Sequence, residues 1–275
     1  MPKIYTVCFT LFLVCLYCVA PLHAQEEATA LRFFNLEAGI SFPKYLDEGI
    51  STLRYQGPAF SGGGGFLLRN ARRIHQIDAF FDMGYLSNKA NGATITEYNT
   101  VANYSYQRHI KDLSLNFLTE DLQWYVGGTF SGIWVLLDHN SFTNNSLNNS
   151  VYFTLNPSTT FLYDFTLWNQ KFTAHASAFL PILAFAVRPA YGSSKFEGFL
   201  DDPDEKPVGS FFESGQVVSL NKFFRLNTLY TLEYHLKNYN ALRIRYMWDF
   251  YSFHQTSRTV KAASHMFTIG TMFSF

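Results

Sequence analysis

Leu122-Gln-Trp-Tyr-Val-Gly-Gly-Thr-Phe-Ser-Gly-Ile-Trp-Val-Leu136 alternates with period two over fifteen residues. Leu122, Trp124, Val126, Gly128, Phe130, Gly132, Trp134 and Leu136 share one face of the strand this pattern predicts. Trp124 and Trp134 stand ten residues apart on that face. Ten strand residues rise about 33 Å along the strand. A tilt of ~45° reduces this to about 25 Å, the height of the apolar band around a transmembrane barrel. The stretch therefore reads as a strand that crosses a bilayer, with a tryptophan at each interface.

The same period recurs along the chain. Phe34, Leu36, Ala38, Ile40 and Phe42 oppose Asn35, Glu37, Gly39 and Ser41. Phe60, Gly62, Gly64, Phe66 and Leu68 form a second apolar face. Ile77, Ala79, Phe81, Met83 and Tyr85 oppose Gln76, Asp78, Asp82 and Gly84. Tyr98, Ala102, Tyr104 and Tyr106 follow, then Phe161, Tyr163 and Phe165. Ala174, Ala176, Ala178, Leu180, Ile182 and Ala184 read as one uninterrupted face. Leu226, Tyr230, Leu232 and Tyr234 come next, then Leu242, Ile244, Tyr246, Trp248 and Phe250, and finally Phe267, Ile269, Thr271, Phe273 and Phe275. The count is about ten strands, with eight or twelve as the alternatives. Gly62 to Gly65 lack the Lys-Ser/Thr of a phosphate loop and mark a bend or the close approach of a bulky neighbour.

Composition agrees with a two-faced sheet. The 275 residues carry 21 Lys+Arg and 21 Asp+Glu, which excludes a basic nucleic-acid binder. Charged residues are 15% and aromatics 18% of the chain, yet mean hydropathy is −0.03. After the first twenty residues no apolar run reaches the ~18 needed for a helical span. Lys3, the apolar run Tyr5 to Ala20 and the small Ala24 read as a signal peptide, residues 1–24, cleaved before a single domain 25–275. Cys8, Cys15 and Cys18 all lie in that leader, so the exported domain needs no disulfide.

The connections alternate in length. Arg69–Arg73, Trp168–Lys171 and Lys237–Asn240 are short, with His109–Asp121 the longer exception on the same side. Pro43–Gly57, Asn88–Thr96, His139–Ser150, Pro189–Gly215 and His254–Ala262 read as long polar loops on the other side. Short turns at one end and long loops at the other is the pattern of an antiparallel transmembrane β-barrel with periplasmic turns and extracellular loops. A soluble sandwich also alternates, but its strands are mostly about 5–6 residues long. Here the apolar faces commonly hold five or more positions, and the opposite face mixes charges and small polar residues with large ones such as Phe179 and Tyr251.

The terminal Met266-Phe-Thr-Ile-Gly-Thr-Met-Phe-Ser-Phe275 resembles the C-terminal strand of Gram-negative outer-membrane β-barrel proteins. In that resemblance Phe267, Ile269, Phe273 and Phe275 correspond to the signal read by the barrel-assembly machinery. It implies export to the outer membrane, and contact there with outer-membrane lipids and with that machinery. It implies no activity.

Candidate chemistry falls on the inward face and the loops. His139 and Ser141 resemble the His-x-Ser pair of outer-membrane lipid hydrolases, in which an adjacent His would activate a Ser nucleophile. Their parity continues the inward face, whereas an acyl substrate lies on the lipid side. Surface proteases of the omptin type carry an Asp pair and an Asp/His pair at the rim. Asp202-Pro203-Asp204 lies in the longest loop, but no Asp-x-His occurs in the chain. Those acids suit Ca²⁺ or, more simply, a solvated loop tip. The scattered histidines lack zinc-ligand spacing. No metal and no cofactor is expected.

Glu37, Asp78, Asp82, Glu233, Arg243, Arg245 and Asp249 all fall on the inward face. Unpaired burial is costly, so they are expected to form an ion-pair plug or to line a narrow polar channel. Trp124, Trp134 and Trp248 are the expected lipid-interface aromatics. The expected function is a non-enzymatic envelope or surface-interaction barrel, whose loop 189–215 meets an extracellular ligand or protein. That loop carries Tyr191, Phe196, Phe199, Phe211 and Phe212. The alternatives are a narrow pore for small solutes and, behind it, a lipid hydrolase using His139 and Ser141.

Overall fold

The computed structural model describes residues 30–49, 51–139, 147–188, 211–212, 214–255 and 258–275. The leader 1–24, Ser141 and most of loop 189–215, including Tyr191, Phe196 and Phe199, lie outside them. The described chain is all-β. Its strands are β1 (Leu31–Ser41), β2 (Lys44–Asp47), β3 (Ser51–Gln56), β4 (Ala59–Arg69), β5 (Arg73–Ser87), β6 (Thr94–Leu113) and β7 (Leu122–His139). They continue as β8 (Leu147–Leu167), β9 (Gln170–Phe179), β10 (Leu183–Val187), β11 (Gly215–Ser219), β12 (Phe223–His235), β13 (Ala241–Gln255) and β14 (Arg258–Ser274).

Four pairs of these strands are single staves with a break: β1 with β2, β3 with β4, β9 with β10, and β11 with β12. The result is a closed antiparallel barrel of ten staves. Closure runs through the β1–β14 seam, from Phe33 opposite Ser274 to Ser41 opposite Met266. A closed sheet leaves no unpaired edge, as a backbone in lipid requires. Both ends of the described chain lie at one end of the barrel, where the Phe275 amide donates to the Arg32 carbonyl. That terminal end also holds the turns after β4, β8 and β12.

Side-chain parity follows the alternation. Leu36, Ile40, Phe60, Phe66, Phe130, Ile244, Phe267 and Ile269 are exposed on the outside, and Asn35, Glu37, Ser61, Asp78 and Arg243 are buried inside. Gly63 and Gly65 explain the glycine run. A Cβ on Gly63 would lie 2.5 Å from the Phe80 ring, and one on Gly65 would lie 2.9 Å from Asp78 Oδ1. The inward glycines make room for those two side chains.

The stave formed by β9 and β10 corrects the uninterrupted face read over Ala174–Ala184. Phe179 pairs with Ser158, while Leu183 pairs with Leu155, so this stave carries one extra residue. The bulge sits at Pro181, which has no N–H to give to a ladder. It reverses parity: Ile182 is exposed, but Ala184 is buried in the lumen. The neighbouring stave breaks at the same place. Asn227 pairs with Phe179 and Ser219 with Leu183.

Two expected long loops are also corrected. Pro43–Gly57 contains the β2–β3 hairpin, with Tyr45 opposite Tyr55. His254–Ala262 is largely strand, since β13 reaches Gln255 and β14 begins at Arg258. Above the apolar band the outside of a stave is wet, so strands continue there without the outward hydrophobic signal that marks them within lipid.

Gly39 faces β14 across the closing seam. A Cβ there would lie 1.8 Å from the Phe267 carbonyl oxygen, a backbone atom. Gly39→Ala is therefore expected to destabilise the barrel by about 1–3 kcal/mol. The urea midpoint of the refolded protein measures this, and an unchanged midpoint would show that the seam relaxes freely.

Candidate functional site

The inward charges assemble into layers along the lumen. In the middle of the barrel, β13 supplies Arg243 and Arg245 two residues apart, so both point inward. Arg243 Nη2 donates to Glu233 Oε1 at 2.7 Å and its Nη1 to Glu37 Oε1 at 3.2 Å. Arg245 Nη2 lies 3.3 Å from Glu37 Oε1 and 3.4 Å from Asp78 Oδ1. Thr268 donates to the other oxygen of Glu37 at 2.8 Å. The ends of the network are His175, 3.3 Å from Glu233, and Arg69, 3.9 Å from it.

This network spans seven staves and is nearly dry. Glu233 is 0% exposed and Arg243 and Arg245 are 2% exposed. Gly270 gives it space, because a Cβ there would come within 2.4 Å of Glu37 Cγ. Arg245 also lies over the Phe80 ring at 5.0 Å, and Phe80 packs with Met247 and Met266.

Of the seven charges expected in one cluster, five meet here. Asp249 stands apart in a bidentate pair with Arg225, at 2.9 and 2.8 Å. Asp82 accepts from Ser61 and has no ion pair to a described residue. Arg69, Arg225 and His175 are the members not singled out from sequence. Their inward parity was the available signal, but their partners lie on distant segments.

The far end, opposite the termini, holds an aromatic cork. Tyr45, Tyr55, Tyr152, Phe223, Tyr251 and Phe253 form its centre, surrounded by Leu86, Ile95, Leu137 and Val260. Tyr152 lies 5.4 Å from Phe223 and 5.5 Å from Tyr251, ring to ring. The Tyr45 and Tyr251 hydroxyls are 2.9 Å apart. Above the cork, Arg188 bonds Asp47 and donates to Ser150 at 3.1 Å. Burial, then the neighbouring Tyr152 and Asp47, push the Tyr45 hydroxyl well above its ordinary range. Burial works against the Arg188 charge, but Tyr152 and Asp47 outweigh it and hold the guanidinium above its usual value.

Two lumen cavities are small: about 40 Å³ beside Asp78, Phe80 and Arg245, and about 20 Å³ beside Glu97, Tyr45 and Tyr251. Each suits one to a few waters. The terminal end instead opens into a vestibule of about 920 Å³ lined by Arg69, Asp112, Asp121, Asp164, Lys171 and His235.

His139 is the last residue of β7 and is buried, its ring edge-on to Tyr55 at 5.7 Å. Phe211 and Phe212 of the 189–215 segment lean on Phe185. Trp124 lies near the start of β7, and Trp134 lies five residues before its end at His139. Trp124 donates to Thr159 at 2.8 Å and Trp134 to Asn149 at 2.6 Å. Trp248 lies opposite His265 on β14. Phe267, Ile269, Phe273 and Phe275 are all exposed on the outer face of the last strand. Among the described residues no three His, Cys, Asp or Glu side chains gather as metal ligands.

A family model described as "Protein of unknown function (DUF3316)" matches residues 9–275. No curated protein matches the chain. Among solved structures, the outer-membrane protease OmpT of Escherichia coli superposes with a TM-score of 0.51 at 10% identity. That match covers 90% of this chain and 96% of OmpT. The translocator domain of the autotransporter NalP from Neisseria meningitidis gives 0.28 at 9% identity, covering 99% of this chain and 98% of NalP. The Pseudomonas putida toluene transporter TodX gives 0.22 at 8% identity, covering 90% of each chain. The likeness to OmpT concerns the fold alone, an outer-membrane type of β-barrel.

Proposed function

We propose that this chain, which belongs to the DUF3316 family, is an integral outer-membrane barrel with a closed lumen, a non-enzymatic envelope protein that acts through its outer surface and far-end loops. The terminal end faces the periplasm and the far end the exterior. Segment 189–215, rooted on β10 and β11, is the contact region for an extracellular ligand or protein.

One observation carries this reading: the lumen is blocked twice, by the Glu37–Arg243–Glu233 network and by the cork around Tyr152. An ion crossing it would have to break a buried ion-pair network and then displace packed aromatics. The periplasmic vestibule stops at the Arg69–Glu233 end of that network. His139, turned against Tyr55 within the cork, gives no support to a lipid-facing nucleophile.

Planar-bilayer recording of the refolded barrel tests the closed lumen. The expected trace is silent at all physiological potentials. Stable salt-dependent steps, altered in selectivity by Arg243→Gln, would replace the closed-lumen reading with a narrow pore.

A further inference from the structure

The outer face of the β1–β14 seam changes character at one level. On β1, Ile40 and then Phe42 beyond it are exposed, and Lys44 on β2 follows with the same parity. On β14, Ile269 and Phe267 are exposed, and His265 and Lys261 continue that face. Arg54 is exposed on β3. The registers bring these cations together. Leu46 has Lys261 as its partner on one side and Arg54 on the other, and Lys44 sits opposite Ala263, two residues from Lys261. Diagonal neighbours in a sheet lie about 7–8 Å apart, within reach of long side chains.

Among the described residues Lys44, Arg54 and Lys261 form no ion pair, and the nearby Glu48 carboxylate is directed to the Thr259 amide at 2.9 Å, leaving the three cations in excess over it. His265 is held by the Tyr246 hydroxyl at 2.8 Å, beside the interface residue Trp248. Beyond Trp134 the outer faces of β6, β7 and β8 carry Asp138 and no cation. Like charges gathered on one sheet face repel. Directly below them lies an apolar ladder in which Ile40 pairs with both Phe60 and Phe267.

We propose that this patch seats the phosphate-bearing headgroup of an outer-leaflet lipid, with its acyl chains on Ile40, Phe42, Phe60 and Phe267. The geometry matches an anionic amphiphile: apolar below the interface, cationic immediately above it, on one continuous face. This inference rests on the membrane orientation proposed above.

The test uses the full barrel refolded in lipid nanodiscs, with a diphosphorylated glucosamine-disaccharide lipid as probe. The same lipid stripped of phosphate and inorganic phosphate are the comparisons. The wild type is expected to bind the phosphorylated lipid saturably, and more weakly as salt is added. The triple variant Lys44→Gln, Arg54→Gln, Lys261→Gln is expected to lose on the order of 100-fold in affinity at low salt. Equal binding by the triple variant, or equal binding of the phosphate-free lipid, overturns the proposal. Displacement of the lipid by equimolar inorganic phosphate assigns the patch to free phosphate and overturns the lipid source. Heat-modifiable migration is read on the same samples. A chain that forms no compact barrel in lipid refutes the outer-membrane reading instead, separately from the patch.

Discussion

Replacing Arg243 by Met is expected to lower the unfolding free energy of the refolded barrel by about 3–5 kcal/mol. Methionine fills much of the same volume, so the loss reports charge rather than a cavity. Arg243 is the link between Glu233 and Glu37, at 2.7 and 3.2 Å. Without it Glu37 keeps Arg245 at 3.3 Å, and Glu233 keeps His175 at 3.3 Å and the longer contact to Arg69. Two nearly dry carboxylates then share weaker partners. Urea unfolding in lipid vesicles, followed by tryptophan fluorescence, measures the change. Adding Glu37→Gln to Arg243→Met is expected to restore much of the stability, because it removes the one excess carboxylate and leaves Glu233 with Arg69 and Asp78 with Arg245. If the single variant unfolds at the wild-type midpoint, the network does not hold the barrel together.

Tyr152→Ala is the second large effect, also about 3–5 kcal/mol. Its ring is fully enclosed by Phe223, Tyr251 and Phe253, which come from two other staves. Truncation leaves a cavity inside a closed wall, and the surrounding staves cannot collapse into it without bending the barrel. Tyr152→Phe keeps the ring and is expected to stay within about 1 kcal/mol of wild type. The pair separates packing from hydrogen bonding. A Tyr152→Ala barrel as stable as the Tyr152→Phe barrel would show that the cork is only loosely packed. In bilayer recordings both variants are expected to stay silent, since the Arg243 network still blocks the lumen.

The two variants probe parts of the molecule that differ in how plainly the chain announces them. Inward parity for Glu37, Asp78, Arg243 and Arg245 follows from alternation within each strand. The cork does not announce itself: Tyr55 and Ile95 lie where the outward residues are polar, while Tyr152 lies between the outward Val151 and Phe153, where both faces are apolar and the alternation is lost. An apolar residue there satisfies no lipid-facing pattern and reads as loop. The same reason hid the β2–β3 hairpin and the upper parts of β13 and β14.

Closure of the sheet settled the count of staves at ten, while the amino-acid sequence by itself put their number at about ten and fixed the apolar outer side of most of them and the terminal strand. Each of these is a local property: period two over ten residues, an interfacial tryptophan, a turn signal. Tertiary structure alone decided which charges meet. Glu37 and Arg243 are 206 positions apart, and Arg245 and Asp78 are 167 apart. Their contact exists because the barrel closes and brings β1, β5 and β13 around one narrow lumen. The parity reversal at Pro181 has the same origin. A missing N–H marks a weak point in one strand, but only the registers of both neighbours fix where the extra residue goes. Face and period are set residue by residue along a strand, whereas pairing across the lumen is set by closure of the whole sheet.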